Sequence, residues 1–232
     1  MTSAAALPLE AAPLEAGPRF LEYAYPQRSP AWFALRLGRL TGSRAADMLA
    51  TLRSGKGEAA GRRNLRAQLA LERLTGEVQE DTYCSPAMQH GIDYEDEARR
   101  AYEMQTGAIV QTSGFLAHPT LMAGVSLDGH LGDYAGIVEI KCPQPMTHMT
   151  YIMRGEIPGE YLRQITHALW ITGAAYCDWC SYCPVFPDRL RLKVVRIAAV
   201  AQELLSYEVM VRAFLAEVDR DVSALQRLAE RA

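Results

Sequence analysis

The order of hydrophobic and polar positions predicts helices on both sides of a β-rich middle section. Helical periodicity predicts helices over residues 64–74, 87–105, 160–172 and 200–229. Glycines stop the first three of these helices, at Gly76, Gly107 and Gly173. Extended stretches separated by Gly, Asp and Pro turns predict strands over residues 108–117, 122–127, 136–141, 176–182 and 190–197. Helices that flank a short mixed sheet indicate an α/β or α+β fold.

The first quarter of the chain has a less regular pattern. Residues 32–40 are mixed and strand-like, and Thr41 or Ser43 can cap a helix that runs to about Leu52. The glycines of residues 53–57 predict a loop. Residues 1–16 lack the basic start and the apolar run of a secretory signal. We therefore expect residues 1–18 to form a flexible tail and residues 19–232 to form one domain.

Composition and charge limit the classes of protein to which the chain can belong. The chain is 49% hydrophobic and 22% charged, which is typical of a globular protein. No segment reaches the roughly 18 uninterrupted apolar residues of a membrane span, so we expect a cytoplasmic protein. Residues 28–73 carry ten Lys or Arg against three acids, and residues 77–103 carry eight acids against two Arg. This order fits a polyanion held beside a cation-binding centre, and it fits two solvated helix faces equally well.

Candidate chemistry lies in Asp128 and in the pair Glu139 and Lys141. Alternation along a strand places Glu139 and Lys141 on one face, and a hairpin would bring Asp128 beside them. Carboxylates held close together repel each other unless a divalent cation binds them, and oxygen ligands select Mg²⁺ or Mn²⁺. The backbone carbonyl of Ile140 could add a neutral ligand, and Lys141 could position or deprotonate a water. Alternatively, Asp128-Gly129 is an ordinary turn and the other two residues form an exposed ion pair.

Two neighbouring segments strengthen the metal interpretation. Glu95 lies on the helix predicted over residues 87–105 and could add a third carboxylate. Tyr161 and Gln164 are three residues apart and share one face of the helix that follows the β-rich section. Gln164 could hold a lysine or a water, and Tyr161 could touch the backbone of bound DNA. A solvated glutamate and ordinary interface polarity are the alternatives.

The order of these motifs resembles that of a known nuclease family. The motifs are Trp32-Phe-Ala-Leu-Arg36-Leu-Gly38-x-x-Thr41-Gly-Ser43, Arg53-Ser-Gly-Lys56, Gly91-x-x-Tyr94-Glu95-x-x-Ala98-Arg99, Val125-Ser126-Leu-Asp128-Gly129, Val138-Glu139-Ile-Lys141-Cys142-Pro143 and Tyr161-x-x-Gln164-x-x-x-x-Leu169-Trp170. The chain resembles the lambda exonuclease family, also called YqaJ-type viral recombinases, within the restriction-endonuclease-like PD-(D/E)xK nucleases. Leu127 departs from the proline of the superfamily signature, at a position that ligates nothing.

The resemblance implies a role for each matching residue. Asp128, Glu139 and the Ile140 carbonyl look like ligands of two Mg²⁺ ions, which Mn²⁺ can replace, and Lys141 looks like the catalytic lysine. Glu95 and Gln164 look like supporting groups of the same site. The residues that match phosphate-binding positions are Arg36, which would hold a 5′-phosphate, and, more weakly, Ser43, Arg53 and Ser126.

The resemblance also implies an activity and partners. The expected fold is a restriction-endonuclease-like mixed sheet flanked by helices. The expected reaction is 5′-to-3′ digestion of one strand of double-stranded DNA with 5′-phosphorylated ends, giving 5′-mononucleotides and a 3′ single-stranded overhang. The family further implies a homotrimer that serves phage or prophage recombination and passes the overhang to a single-strand annealing protein.

Cysteine spacing raises one competing hypothesis. Cys177, Cys180 and Cys183 have the C-x-x-C-x-x-C spacing of a zinc or iron–sulfur site. On the strand predicted over residues 176–182, however, Cys180 faces away from the other two, so we expect buried, reduced thiols. An endonuclease or an iron–sulfur nuclease of the same superfamily, and a DNA-binding or annealing module without catalysis, are the alternative functions.

Overall fold

The computed structural model describes residues 18–52, 57–79 and 85–231. Its helices are α1 (Pro30–Arg36), α2 (Ala45–Met48), α3 (Ala60–Thr75), α4 (Pro86–Thr106), α5 (Pro145–Arg154), α6 (Gly159–Thr172), α7 (Asp188–Arg191) and α8 (Ala201–Ala229). Its strands are β1 (Leu21–Tyr23), β2 (Leu40–Thr41), β3 (Val110–Gln111), β4 (Phe115–Ala117), β5 (Ala123–Ser126), β6 (Gly129–Leu131), β7 (Gly136–Lys141), β8 (Tyr176–Tyr182) and β9 (Leu192–Ala198). None of the described helices has the length and apolar character needed to cross a membrane.

The strands form two mixed sheets instead of the single mixed sheet that we predicted. One sheet has the order β1-β4-β5-β2, and the other has the order β3-β6-β7-β8-β9. The pairs β2–β5 and β7–β8 are parallel, and the other pairs are antiparallel. The chain crosses from the first sheet to the second between Ser126 and Gly129, so Asp128 lies at the junction. The predicted class, a mixed α/β fold with flanking helices, is confirmed.

The central strands β7 and β8 of the five-stranded sheet are buried on both faces, and the faces follow the pleat. Ile137 and Trp179 belong to a core shared with α6 and α8. Val138 and Ile140 belong to a second core shared with α4. Because successive side chains of a strand point to opposite faces, β7 contributes alternately to the two cores. This double burial explains why the successive residues Ile137 and Val138, which point to opposite faces, are both apolar.

The predicted helix ends agree with the structure. Gly76, Gly107 and Gly173 each have a positive φ, between 64° and 71°, and each backbone N–H caps the helix that the glycine ends. A glycine takes this left-handed conformation without a Cβ penalty. Helix α4 begins at Pro86, as predicted, and Ser85 caps it through a bond from the N–H of Met88 at 3.2 Å.

The predictions for residues 32–52 are wrong over most of this range, although Leu40 lies in β2 and residues 45–48 are helical. Residues 30–36 form α1 instead of a strand, because Ser29 accepts the N–H of Trp32 at 3.2 Å and Pro30 occupies the first helical turn. The helix expected to run to Leu52 is reduced to a 3₁₀ turn over residues 42–44 followed by α2, which ends at Met48. The side chain of Thr41 caps neither; its hydroxyl lies 3.3 Å from that of Ser43.

Several short elements have no counterpart in the predictions. These are β1, β6, α5 and α7, and α7 delays the start of β9 to Leu192. For α5 the sequence carried a usable signal, since Pro145 opens the helix and Gly155 ends it with φ of 69°. The predicted tail lies outside the described residues except for Pro18, as does the loop of residues 53–57 except for Gly57.

Candidate active site

Strand β7 presents Glu139 and Lys141 on the face opposite Val138 and Ile140. Both apolar side chains are buried against α4, whereas Glu139 points toward α6 and is only 4% exposed. A buried carboxylate is stable only when it is hydrogen-bonded, so its partners define the site. The predicted alternation along residues 138–141 is confirmed.

Asp128 reaches the same end of β7 from the junction between the sheets. Strands β6 and β7 form an antiparallel hairpin with Gly129 opposite Val138. Oδ2 of Asp128 accepts the backbone N–H of Ile140 at 2.7 Å. The structure therefore brings Asp128 and Glu139 together, as the hairpin prediction required.

Two donors converge on one oxygen of Glu139. Nε2 of Gln164 donates to Oε1 at 2.6 Å, and Nζ of Lys141 donates to the same oxygen. Gln164 lies on α6, whose next residue, Ile165, is buried in the core beneath the sheet. These bonds hold the Glu139 carboxylate in one orientation.

An aromatic wall borders the Lys141 ammonium group. Tyr161 lies one turn before Gln164 on α6, and its ring centroid is 5.1 Å from Lys141 Nζ. This distance is within the roughly 6 Å over which a ring face attracts a cation. The ring packs against Trp179 and Tyr151, at centroid distances of 6.1 and 6.5 Å. Tyr161 and Gln164 share one helix face, as predicted.

Helix α4 brings Glu95 to the cleft, and buried polar bonds fix the position of this helix. Tyr102, on the same helix face two turns later, donates to Oδ2 of Asp178 on β8 at 2.6 Å. In the reverse direction, Tyr182 of β8 donates to Oε1 of Glu97 at 2.5 Å. Both bonds join α4 to β8, the strand hydrogen-bonded to β7. Glu95 is thereby fixed relative to the strand that carries Glu139.

The carboxyl groups of the site repel each other. Burial and the charge of Asp128 raise the pKa of Glu95 to about 7. Burial also raises the pKa of Glu139 to about 7, although Lys141 opposes the rise. The pKa of Asp128 is raised by burial and lowered by Lys141 and by the Ile140 N–H, with a net rise. Burial disfavours the charge of Lys141, but Glu139 and Asp128 outweigh this and raise its pKa, so the ammonium group stays charged.

A cleft of about 510 Å³ opens above these groups. Besides Glu95, Asp128, Lys141 and Tyr161, its lining includes residues that we did not predict, among them Arg28, Met88, Cys142, Gln144 and Thr147. Gln144 and Thr147 lie at the start of α5, and the Pro145 signal of that helix could have revealed them. Nothing in the sequence pattern distinguishes Arg28 from the other arginines of residues 28–73.

Arg36 and Ser126 are linked through Trp32. The guanidinium carbon of Arg36 lies 4.2 Å from the centre of the Trp32 ring. Nε1 of Trp32 donates to Oγ of Ser126 at 2.9 Å. Ser126 ends β5, two residues before Asp128. The structure therefore brings two predicted phosphate-binding residues into one group, in which Trp32 is the member that we did not predict.

The other predicted phosphate contacts differ in what the structure shows. Ser43 is exposed in the 3₁₀ turn, and the preceding Gly42 packs against Gln164. Ser43 therefore directly follows a residue that contacts the site. Its own hydroxyl is hydrogen-bonded to that of Thr41. Arg53 lies outside the described residues.

A comparison with protein families shows to which family the chain belongs. The sequence model of the YqaJ-like viral recombinase domain matches residues 31–175, which include Glu95, Asp128, Glu139, Lys141 and Gln164. The chain belongs to the YqaJ-like viral recombinase family. The comparison with curated protein sequences gave no match.

Solved structures of exonucleases resemble this family member closely. The alkaline exonuclease LHK-Exo from Laribacter hongkongensis is 37% identical, with a TM-score of 0.79 over 88% of this chain and 99% of its own. LHK-Exo in complex with dAMP matches at 38% identity with the same TM-score and coverage. A phage-related exonuclease from Haemophilus somnus 129PT has a TM-score of 0.63 and covers 81% of this chain and 96% of its own. Its 12% identity supports likeness of fold alone.

Three arginines of this YqaJ-like chain form ion pairs within the fold. Arg62 and Arg66 of α3 form ion pairs with Glu217 and Asp221 of α8, at 2.7 and 3.0 Å. Arg73 forms a similar pair with Asp219 at 2.6 Å. The high density of arginine over residues 28–73 therefore reflects, in part, the contact between α3 and α8. These three arginines therefore form neither a polyanion-binding surface nor a solvated helix face, since they lie partly buried between α3 and α8.

The cysteines agree with the predicted buried thiols. Cys177 belongs to the core under α6, and Cys180 belongs to the core under α4, so the two face opposite sides of β8. Cys142, Cys177, Cys180 and Cys183 are all buried and free. Burial raises the pKa of Cys177 well above its usual value, which keeps the thiol protonated and unreactive. Cys84 lies outside the described residues.

Proposed function

We propose that this chain is a Mg²⁺-dependent 5′-to-3′ exonuclease that digests one strand of double-stranded DNA to 5′-mononucleotides. The observation that carries the proposal is the Glu139 carboxylate, which is held by Lys141 and Gln164 next to the Asp128 that binds the Ile140 amide. Its similarity to an alkaline exonuclease supports nuclease chemistry. The dAMP in a structure of that relative is a mononucleotide, the class of product proposed here.

The donor atoms at the site suit a hard divalent cation. The carboxylates of Asp128 and Glu139 with the carbonyl of Ile140 would hold it, and Glu95 faces the same cleft. Across residues 18–52, 57–79 and 85–231, no cluster of three or more His, Cys, Asp or Glu is arranged as a metal site. Water and substrate oxygens would therefore complete the coordination, as is usual for Mg²⁺. Mg²⁺ ions bound in a pair, or Mn²⁺ in their place, would supply water activation and charge neutralisation.

Side chains of the protein supply the other functions of the site. Lys141 positions the attacking water through its charged ammonium group, and its positive charge stabilises the negative charge that develops on the phosphate. Gln164 holds Glu139 in place, and Tyr161 borders the path of the DNA backbone. Arg36 grips the 5′-phosphate of the strand end through its planar guanidinium group. Ser43, Arg53 and Ser126 add further phosphate contacts.

The biological setting proposed for this activity is phage-type recombination. The 3′ single-stranded overhang left by digestion would pass to a single-strand annealing protein. A homotrimer that surrounds the duplex would keep the enzyme on its substrate. Membership in a family of viral recombinases supports this setting.

Linear duplex DNA with 5′-phosphorylated ends tests the proposal. Incubation with Mg²⁺ should release mononucleotides, and EDTA should stop the reaction. Lys141→Ala should reduce hydrolysis by roughly a hundredfold or more while DNA binding stays near the wild-type value. Lys193→Ala is the matched control, since Lys193 lies on β9 and does not line the cleft. Wild-type activity in Lys141→Ala would overturn the assignment of this residue.

The same reaction separates the alternative functions. Nicking of closed circular duplex would favour an endonuclease, and visible charge-transfer absorbance of the purified protein would favour an iron–sulfur nuclease. Binding without any metal-dependent hydrolysis would favour a DNA-binding or annealing module. The opposite orientations of Cys177 and Cys180 argue against the iron–sulfur alternative.

A further inference from the structure

Arg28 lies in the catalytic cleft in an unusual backbone conformation. It lines the cleft together with Glu95, Asp128 and Lys141. Its φ is +66°, in the left-handed region that favours glycine and that side chains other than Asn and Asp rarely adopt. A residue that keeps a long cationic side chain at such a position is a candidate for a functional role.

The surrounding turn holds Arg28 in this conformation. The N–H of Ser29 donates to the carbonyl oxygen of Pro26 at 3.1 Å, which closes the turn around residue 28. The Oγ of Ser29 caps α1, and Pro30 fixes the first turn of that helix. Arg28 and Arg36 therefore flank α1 at its two ends, with Arg28 in the cleft and Arg36 on the Trp32 ring. The two side chains therefore lie in different positions, so they can bind different phosphate groups.

A cation on the cleft wall assists the entry of a phosphate chain. Before metal ions bind, Asp128, Glu139 and Glu95 repel a phosphate chain that enters beside them. Lys141 donates to Glu139, and Arg99 forms an ion pair with Asp96. An arginine on the cleft wall offers a planar set of donors that matches a phosphate group.

We propose that Arg28 binds a backbone phosphate of the DNA strand that occupies the cleft. This phosphate is separate from the terminal 5′-phosphate assigned to Arg36, and the inference rests on the proposed nuclease function. The contact attracts the DNA backbone into a cleft that is lined by carboxylates. It also aligns the bound DNA strand with Lys141.

Salt dependence of DNA binding tests this contact separately from catalysis. Binding of a fluorescent 5′-phosphorylated duplex is measured at several salt concentrations with Ca²⁺ replacing Mg²⁺, and gels verify that the duplex stays intact. Each phosphate contact contributes roughly 0.7 to 0.9 to the slope of log binding constant against log salt. Arg28→Gln should lower the slope by about this amount, and Arg28→Lys should keep it, because the charge remains.

Two further variants make the result specific. Arg220→Gln removes the same charge from α8, which contributes no residue to the cleft, and should leave the slope unchanged. Arg28→Gly should lower the slope as Arg28→Gln does without lowering the melting temperature, because glycine accepts the positive φ. In hydrolysis with Mg²⁺, Arg28→Gln should raise KM by roughly tenfold and leave kcat near the wild-type value.

The outcomes for Arg28 and for the nuclease function are distinguishable. A wild-type slope together with a wild-type KM in Arg28→Gln overturns the phosphate contact, even if the protein is an active nuclease. An unchanged slope with lowered kcat also overturns it, since the residue would then act on the chemistry. A wild-type protein that never hydrolyses DNA refutes the proposed function, whereas a reduced slope in Arg28→Gln would still support the phosphate contact.

Discussion

The buried imidazole of His167 should make the stability of the protein depend on pH. His167 lies three residues after Gln164 on α6 and is fully buried. Its Nε2 is 3.0 Å from the carbonyl oxygen of Gly124, which can only accept, so Nε2 carries the proton. Its Nδ1, 2.7 Å from the hydroxyl of Tyr207, then accepts from that group. The neutral ring satisfies both partners.

The direction of the effect follows from the pKa. Burial lowers the pKa of His167 from 6.5 to about 4; the Gly124 carbonyl opposes the change and His118 adds to it. Between these values the unfolded chain binds a proton that the folded chain does not, so the free energy of unfolding falls as the pH falls. The contribution is fully present above about pH 6.5 and is lost progressively toward pH 4. Between pH 7.5 and pH 5 the loss amounts to roughly 2 kcal/mol.

The assay compares the wild type with His167→Gln. Glutamine can donate to Gly124 and accept from Tyr207, but it does not titrate. Urea unfolding, followed by tryptophan fluorescence in EDTA from pH 5 to 7.5, gives the free energy of unfolding of both proteins. Glu95 and Glu139, whose pKa values are about 7, also titrate in this range with the opposite sign, and they cancel in the difference. The difference between the two proteins should change by about 2 kcal/mol across the range. Parallel pH profiles would refute the neutral, buried imidazole.

Two further variants test the parts of the site that hold other groups in place. Gln164→Ala leaves Glu139 without one of its donors and should weaken Mn²⁺ binding by roughly 10- to 100-fold in a calorimetric titration; unchanged affinity would show that the glutamine does not orient the ligand. Trp32→Phe keeps a ring under Arg36 but removes the bond to Ser126, and should reduce the preference for 5′-phosphorylated over hydroxyl ends by about fivefold in competition digests. Arg36→Ala should reduce this preference further. If the wild type, Trp32→Phe and Arg36→Ala all show the same preference, Arg36 does not recognise the 5′-phosphate.

Local signals predicted most of the middle and the end of the chain. The stop signals at Gly76, Gly107 and Gly173 marked helix ends because only a left-handed residue closes a helix in this way. The pairing of Asp128 with Glu139 followed from a hairpin and the period of a strand, both short-range features. The error over residues 32–40 arose where a Ser-Pro cap outweighed a strand-like composition.

Long-range contacts could not be predicted in the same way. The bond from Trp32 to Ser126 joins residues 94 positions apart, and the bond from Tyr102 to Asp178 joins residues 76 positions apart. Neither partner carries a local signal for the other, because each pairing depends on how whole elements pack. The positive φ of Arg28 has the same origin, since tertiary structure overrides the local preference of an arginine.

The position of the site explains why two helices are fixed so firmly. Strand β7 lies between α4, which supplies Glu95 from one face of the sheet, and α6, which supplies Gln164 from the other. A shift of either helix by a fraction of a turn would separate its side chain from Asp128 and Glu139. Each helix is held by a buried polar bond to a neighbouring strand, α4 through Tyr102 and α6 through His167. A sliding helix would leave a buried polar group unpaired, at a cost of roughly 1 to 3 kcal/mol. The same bonds that stabilise the fold therefore keep the site aligned from both faces of the sheet.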